Sequence, residues 1–182
     1  KMPKRGTINL HTSLLPNYKG AAPINWVLIN GERETGISTF YIDNKIDSGA
    51  IIKQERIELS EKNTAAELHN ILVDKGNSLL VKTLDLLKNN YAINAQTQYS
   101  ETIHEAPKLT KELLKINWNK SPTDIHNLVR GLSPYINNST SLKDVSICPS
   151  AWFLLEKNGI QKRIKVHLTK VINLEKNDNL TI

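Results

Sequence analysis

The sequence predicts an α/β protein followed by a smaller β-rich unit. Three observations predict it. Short β-branched segments alternate with helical patterns between residues 7 and 89. A polar stretch without a periodic core pattern, 90–112, follows. Beyond it a short helix precedes a hairpin signal at Asn158-Gly159.

Thr7–His11 reads as a strand, in which Asn9 and His11 share one face and Ile8 and Leu10 the other. A loop over residues 12–20 ends at Gly20. Pro23 opens a helix that Asn30-Gly31 stops. Thr35–Ile42 and Ala50–Ile57 read as strands on either side of a turn-rich loop, Asp43–Gly49. Thr64–Asn89 reads as a long helix. Thr64 and Glu67 make a capping box, and Leu68, Ile71, Leu72, Leu79, Leu80, Leu84 and Leu87 make the apolar stripe, with Gly76 a local weakness.

Ser121-Pro122 predicts an N-cap with proline at the first helical position, and this helix runs to Gly131. Trp152–Glu156 and Arg163–Val171 read as the arms of the hairpin, and Leu180–Ile182 is strand-like again. The organisation expected is a first domain over 1–89, a linker over 90–112 and a second domain over 113–182.

Composition narrows the class. The chain has 182 residues, 39% hydrophobic and 23% charged, as a globular protein has. No apolar run is long enough to span a membrane, so no membrane partner is expected. The lone cysteine, Cys148, excludes an internal disulfide framework and fits a structural thiol in a reducing, cytoplasmic setting. A net charge of +6 permits a polyanionic partner without demanding one. The excess is larger in residues 91–182, and Lys157, Lys162, Arg163, Lys165 and Lys170 follow one another without an intervening acid. Such a run is a solvated strand face or a phosphate-binding surface.

The chemistry concentrates between Gly6 and Gly49. Moving an acyl group onto an amine needs a donor for the developing oxyanion, and an Asn amide supplies one. It needs a group to take the amine proton, and a His suits that. A carboxylate beside the His orients it and balances the imidazolium. Asn9, His11 and Asp47 supply this set, with no metal ligand cluster and no nucleophilic Ser or Cys required. Each also has an ordinary reading: Asn9 as a turn former, His11 as an ordinary polar residue, Asp47 as a turn residue before Ser48-Gly49. Spacing alone leaves both readings open.

The run from Gly6-Thr7-Ile8-Asn9-Leu10-His11 through Thr12-Ser13-Leu14-Leu15-Pro16-Asn17-Tyr18-Lys19-Gly20 to Ala21-Ala22-Pro23-Ile24 resembles the signature of formyltransferases that use 10-formyltetrahydrofolate. Thr35-Gly36-Ile37-Ser38 and Ile46-Asp47-Ser48-Gly49 resemble that family's next strand and its Asp loop. Ala106-Pro107-Lys108-Leu109-Thr110-Lys111-Glu112, Ile116-Asn117-Trp118 and residues 125–134 are similar to the branch acting on methionyl-tRNA. The resemblance implies the C-terminal half of a Rossmann-like sheet, linked to an OB-like tRNA-binding domain. It implies that Asn9 stabilises the oxyanion and that His11 and Asp47 assist proton transfer. Ser13, Leu14, Leu15 and Pro16 then border the folate cosubstrate, and initiator methionyl-tRNA is the acceptor. The expected protein is a monomer without a metal, active in translation initiation.

The basic run is the candidate tRNA surface, with Arg163, Lys165 and His167 alternating to one side of a strand and Ile164, Val166 and Leu168 to the other. The chain departs from the family in three places. The upstream sheet half is expected to be missing, residues 136–149 look like an insertion, and the second domain is expected to be unfinished. Two other readings remain: a related formyltransferase acting on an amino sugar, and a non-catalytic RNA-binding fragment.

Overall fold

The computed structural model describes residues 3, 6–89, 95–98, 104–136, 140–141 and 147–172. In chain order its elements are β1 (Ile8–His11), β2 (Lys19–Gly20), α1 (Pro23–Ile29), β3 (Glu34–Tyr41), β4 (Ile51–Glu58) and α2 (Ala65–Lys88). There follow β5 (Glu105–Ala106), α3 (Pro122–Gly131), β6 (Tyr135–Ile136), β7 (Thr140–Ser141), β8 (Ala151–Lys157) and β9 (Ile160–Val166). The expected helices and strands of the first unit are present, most with ends shifted by one residue.

The principal sheet has the order β1-β3-β4 and is antiparallel throughout. Strand alternation gives it two different faces. Leu10 and Ile37 lie on one, in the core that α2 covers with Leu68, Leu72 and Leu79. α2 passes over the sheet at Gly76 with room to spare: a Cβ on it would meet Leu10 at 3.5 Å, an ordinary contact. Thr39 and Thr83 hydrogen-bond across the same interface at 2.9 Å. The opposite face carries Asn9, His11, Ser38, Phe40 and Gln54, and Phe40 packs there with Leu15 and Ile51.

The capping box of α2 forms as expected. The Thr64 Oγ1 accepts from the Glu67 N–H, and the Glu67 carboxylate accepts from the Thr64 N–H. Its apolar stripe does not stay buried to the end: Leu84 is 50% exposed. A helix of this length spans roughly 36 Å against about 27 Å for an eight-residue strand, so the last turns outrun the sheet. Thr83, not Leu84, is the buried residue there.

The second unit is built on Leu114, Ile116, Val129, Leu132 and Ala151, with Phe153 and Val166 packed against them. The Ser121 hydroxyl caps α3 by accepting from the Asp124 N–H. Asn158 and Gly159 both take positive φ, 55° and 74°, in the two-residue turn between β8 and β9. β9 ends at Val166 rather than Val171, because Val166 already pairs with Ala151, the first residue of β8. The strand-like Leu180–Ile182 lies outside the described residues, as does most of 136–149. Of that stretch, β6 and β7 pair, and Cys148 is buried in the first unit's core.

The two units meet where α1 crosses α3. Asn25 donates from Nδ2 to the carbonyls of Gly131 and Ile147, each at 2.8 Å. A Cβ on Gly131 would lie 2.8 Å from Ile29 Cγ1 and 3.1 Å from the Asn25 carbonyl, so a side chain here would force Ile29 and the helix crossing to shift. The described part of 90–112 is docked rather than extended. Gln96 pairs with Ile51, β5 runs parallel to β2, and Trp26 donates to the Pro107 carbonyl. No helix among the described residues is long and apolar enough to cross a membrane.

Candidate active site

β1 places Asn9 and His11 on the sheet face opposite α2, under the loop that runs from Thr12 to Tyr18. His11 is 7% exposed. Its Nε2 lies 2.8 Å from the Tyr18 carbonyl. A carbonyl only accepts, so Nε2 is the donor and carries hydrogen. Nδ1 then faces the Asp47 carboxylate at 3.7 Å, beyond hydrogen-bond reach but well within the range of direct charge interaction. The carboxylate expected to orient the ring therefore does not act alone. The Tyr18 backbone fixes the tautomer, and Asp47 places negative charge at the other nitrogen.

Tyr18 is itself pinned. Its φ is 59°, its ring stacks on His104 at 5.5 Å, and its N–H donates to the His104 carbonyl. Its hydroxyl donates to Glu32 and accepts from Asn30. Burial, reinforced by the bond to Glu32, pushes the phenol well above its ordinary range, so it stays a donor.

Asp47 sits at φ 48° in a tight loop, and its carboxylate accepts from the Gly20 N–H at 2.9 Å. Asp43 opens that loop by accepting from the Lys45 N–H and the Ser48 hydroxyl, which holds its carboxyl below the usual range. Gly49 closes it. A Cβ there would fall on the Tyr41 carbonyl oxygen, so the Gly of Asp47-Ser48-Gly49 is a steric requirement. Gln98 donates to the carbonyls of both Asp47 and Gly49.

The loop over Ser13–Pro16 is stitched to the sheet. Ser13 and Leu15 are buried, so their side chains build the loop from within, while Leu14 and Pro16 are half-buried. Leu14 lies directly on Gly36, where a Cβ would collide with Leu14 Cδ2. Ser38 donates to the Ser13 carbonyl and accepts from the Leu15 N–H, and Gln54 donates to the Leu15 carbonyl. The Asn9 side chain is half-buried and makes no hydrogen bond among the described residues. Sequence reasoning missed Tyr18, Ser38, Gln54 and Gln98. A serine directly after Ile37 in β3, on the strand face of His11, was a signal for Ser38; Gln98, in a polar stretch, carried none.

The basic residues do not form one face. Cross-strand pairing puts Lys157 and Lys162 on the hairpin face that carries Phe153 and Leu155, and Arg163 and Lys165 on the face that carries Trp152. The Arg163 guanidinium covers the Trp152 ring at 4.4 Å, with Lys115 at 5.8 Å. His167 lies beyond the strand, bonded to Ser150. Lys170 lines a separate cleft of about 650 Å³ between the units, beside Arg33, Lys62, His126 and Arg130. Among the described residues no three His, Cys, Asp or Glu side chains are grouped to hold a metal.

Residues 1–84 match the formyl transferase family, and residues 108–180 match the formyl transferase C-terminal domain. The chain belongs to the formyl transferase family. Within this formyl transferase family its relatives include methionyl-tRNA formyltransferase of Flavobacterium johnsoniae, 42% identical over 172 residues, which are 94% of this chain and 50% of the relative. The enzyme of the same name from Azobacteroides pseudotrichonymphae is 48% identical over 145 residues, 78% of this chain and 45% of the relative. The chain thus spans about half the length of the curated relatives it matches.

Among solved structures, WlaRD, a sugar 3N-formyl transferase crystallised with dTDP and 5-N-formyl-THF, is 30% identical with a TM-score of 0.61, over 72% of this chain and 50% of that one. A 4-N formyltransferase from Francisella tularensis shares the fold, with a TM-score of 0.66 at 22% identity, over 90% of this chain and 63% of that one.

Proposed function

We propose that this chain belongs to an enzyme that transfers a formyl group from 10-formyltetrahydrofolate to the α-amine of methionine on initiator tRNA. The observation that carries the reading is the His11 tautomer. With Nε2 bound to the Tyr18 carbonyl, Nδ1 is the nitrogen left to accept a proton, and the Asp47 carboxylate stands beside it. In this reading the amine nitrogen attacks the formyl carbon. The carbonyl electron pair moves to oxygen, where the uncommitted Asn9 amide donates. His11 takes the amine proton, Asp47 balances the imidazolium, and collapse of the oxyanion expels the folate nitrogen, which takes up that proton as it leaves. Leu14 and Pro16 form the cleft wall toward the folate, and Ser13 and Leu15 hold that wall in place.

The identity to methionyl-tRNA formyltransferases supports the acceptor, as does the basic second unit. We read 1–89 as the catalytic part, 90–112 as the connection and 113–182 as the part that holds the tRNA, in a cytoplasmic monomer. The likeness to WlaRD supports a second reading, in which the acceptor is an amino sugar.

Transfer from 10-formyltetrahydrofolate to charged initiator tRNA, measured in the full-length protein that carries this sequence, tests the proposal. Rapid, salt-sensitive transfer is expected. Transfer to a nucleotide-linked amino sugar without transfer to methionyl-tRNA would move the assignment to the second reading.

A further inference from the structure

We infer that Gln98 is a positioning residue that holds the Asp47 carboxylate in register with His11, acting from outside the sheet and helices that form the site. The inference rests on the reading of Asp47 as part of the transfer site. Asp47 has φ 48°, a left-handed conformation that is unfavourable for a residue bearing a Cβ. Two residues on, the chain passes so close to Tyr41 that no side chain fits at Gly49. A turn of this kind persists only where its surroundings over-determine it.

Gln98 supplies that determination. Its Nε2 donates to the Asp47 carbonyl at 3.0 Å and to the Gly49 carbonyl at 2.8 Å, so one amide group ties both ends of the Asp47-Ser48-Gly49 turn. The amide orientation is unambiguous, because the reverse would set Oε1 against two carbonyl oxygens. The same orientation leaves Gln98 Oε1 buried without a partner among the described residues. Such an oxygen carries an uncompensated desolvation cost. The structure tolerates that cost where the same amide braces the turn.

The geometry leads directly to the reacting pair. The Asp47 backbone is held by Gln98, its carboxylate by the Gly20 N–H, and that carboxylate faces His11 Nδ1. His104, farther along the stretch between the units, bonds and stacks on Tyr18, whose carbonyl holds the other ring nitrogen. Both sides of the pair are therefore braced from the stretch that joins the units.

The test is a double-mutant cycle in the full-length protein, with kcat and KM measured for wild type, Gln98→Ala, Asp47→Ala and the double variant. Gln98→Ala is expected to lower kcat about tenfold, with KM for 10-formyltetrahydrofolate within about twofold. In the Asp47→Ala background the same change is expected to cost less than about twofold. Gln98→Glu keeps the volume but turns the donor into an acceptor, and should match or exceed the kcat loss in Gln98→Ala. Equal losses in both backgrounds, or full kcat in Gln98→Glu, overturn the inference while leaving the site intact. Undiminished kcat in Asp47→Ala overturns the reading of the site itself.

Discussion

Ser38 and Gln54 face each other on neighbouring strands, and the Gln54 amide donates to the Ser38 hydroxyl at 2.7 Å. Across β3 from Gln54, Ser38 is also the cross-strand partner of His11, so the three residues form one row on one face of the sheet. The hydroxyl uses every bond it has: it donates once, to the Ser13 carbonyl, and accepts twice, from Leu15 and Gln54. The row that carries the histidine is the row that carries the loop above it.

Ser38→Ala is therefore expected to destabilise by about 2–3 kcal/mol, since it strands a buried N–H and a buried carbonyl together. Urea unfolding measures it. A change below about 0.5 kcal/mol would show that the loop is held by packing alone.

Tyr18→Phe should separate structure from catalysis. It removes the bond to Glu32 but keeps the backbone carbonyl that fixes His11. Turnover in the full-length protein should stay within a few-fold of wild type, while stability falls by about 1 kcal/mol. Because the folded state raises this phenol, the stability it contributes is intact below about pH 10 and is lost as pH rises beyond that. Alkaline unfolding of Tyr18→Phe should accordingly be shallower above about pH 10 than that of wild type. Parallel curves would remove Tyr18 from that transition.

Two glycines should respond in opposite ways. Gly49→Ala collides with the Tyr41 carbonyl, and its loss of stability should exceed about 2 kcal/mol. Gly76→Ala adds a methyl into ordinary contact with Leu10 inside α2, and should stabilise by about 0.5–1 kcal/mol. Thermal melts of the pair decide both. A destabilised Gly76→Ala would mean that α2 lies closer to the sheet than a 3.5 Å contact with Leu10 implies.

Arg163→Glu with Lys165→Glu, and Lys157→Glu with Lys162→Glu, reverse charge on opposite faces of one hairpin. If tRNA lies along the Trp152 face, the first pair should weaken binding at least about tenfold and flatten its dependence on salt, and the second pair much less. Equal effects would assign both faces to the partner.

The sheet, its helices and the hairpin were legible because each rests on local chemistry: alternation in β1, the capping box at Thr64, proline at the start of α1 and α3, and Asn158-Gly159 in the turn. Asn9, His11 and Asp47 were joined as a set only by the family resemblance, since spacing left their ordinary readings open; the structure brings His11 and Asp47 within 3.7 Å. What holds them was not legible. The Tyr18 carbonyl acts through backbone, which no side-chain pattern records. Gln98 reaches Asp47 across 51 positions of sequence. The basic run misled for a related reason: nearness along a strand ignores that Lys162 and Arg163 point to opposite faces.

Gly131 allows α3 to meet α1 with no room for a methyl group, and α1 starts three residues after Gly20, whose N–H holds the Asp47 carboxylate. A helix crossing that tight admits little play. If the second unit holds the acceptor, as proposed, this crossing sets how far the acceptor stands from the imidazole. On the proposed reading, reach toward the acceptor would then be a fixed dimension of the fold, and an added carbon at the crossing would disturb it.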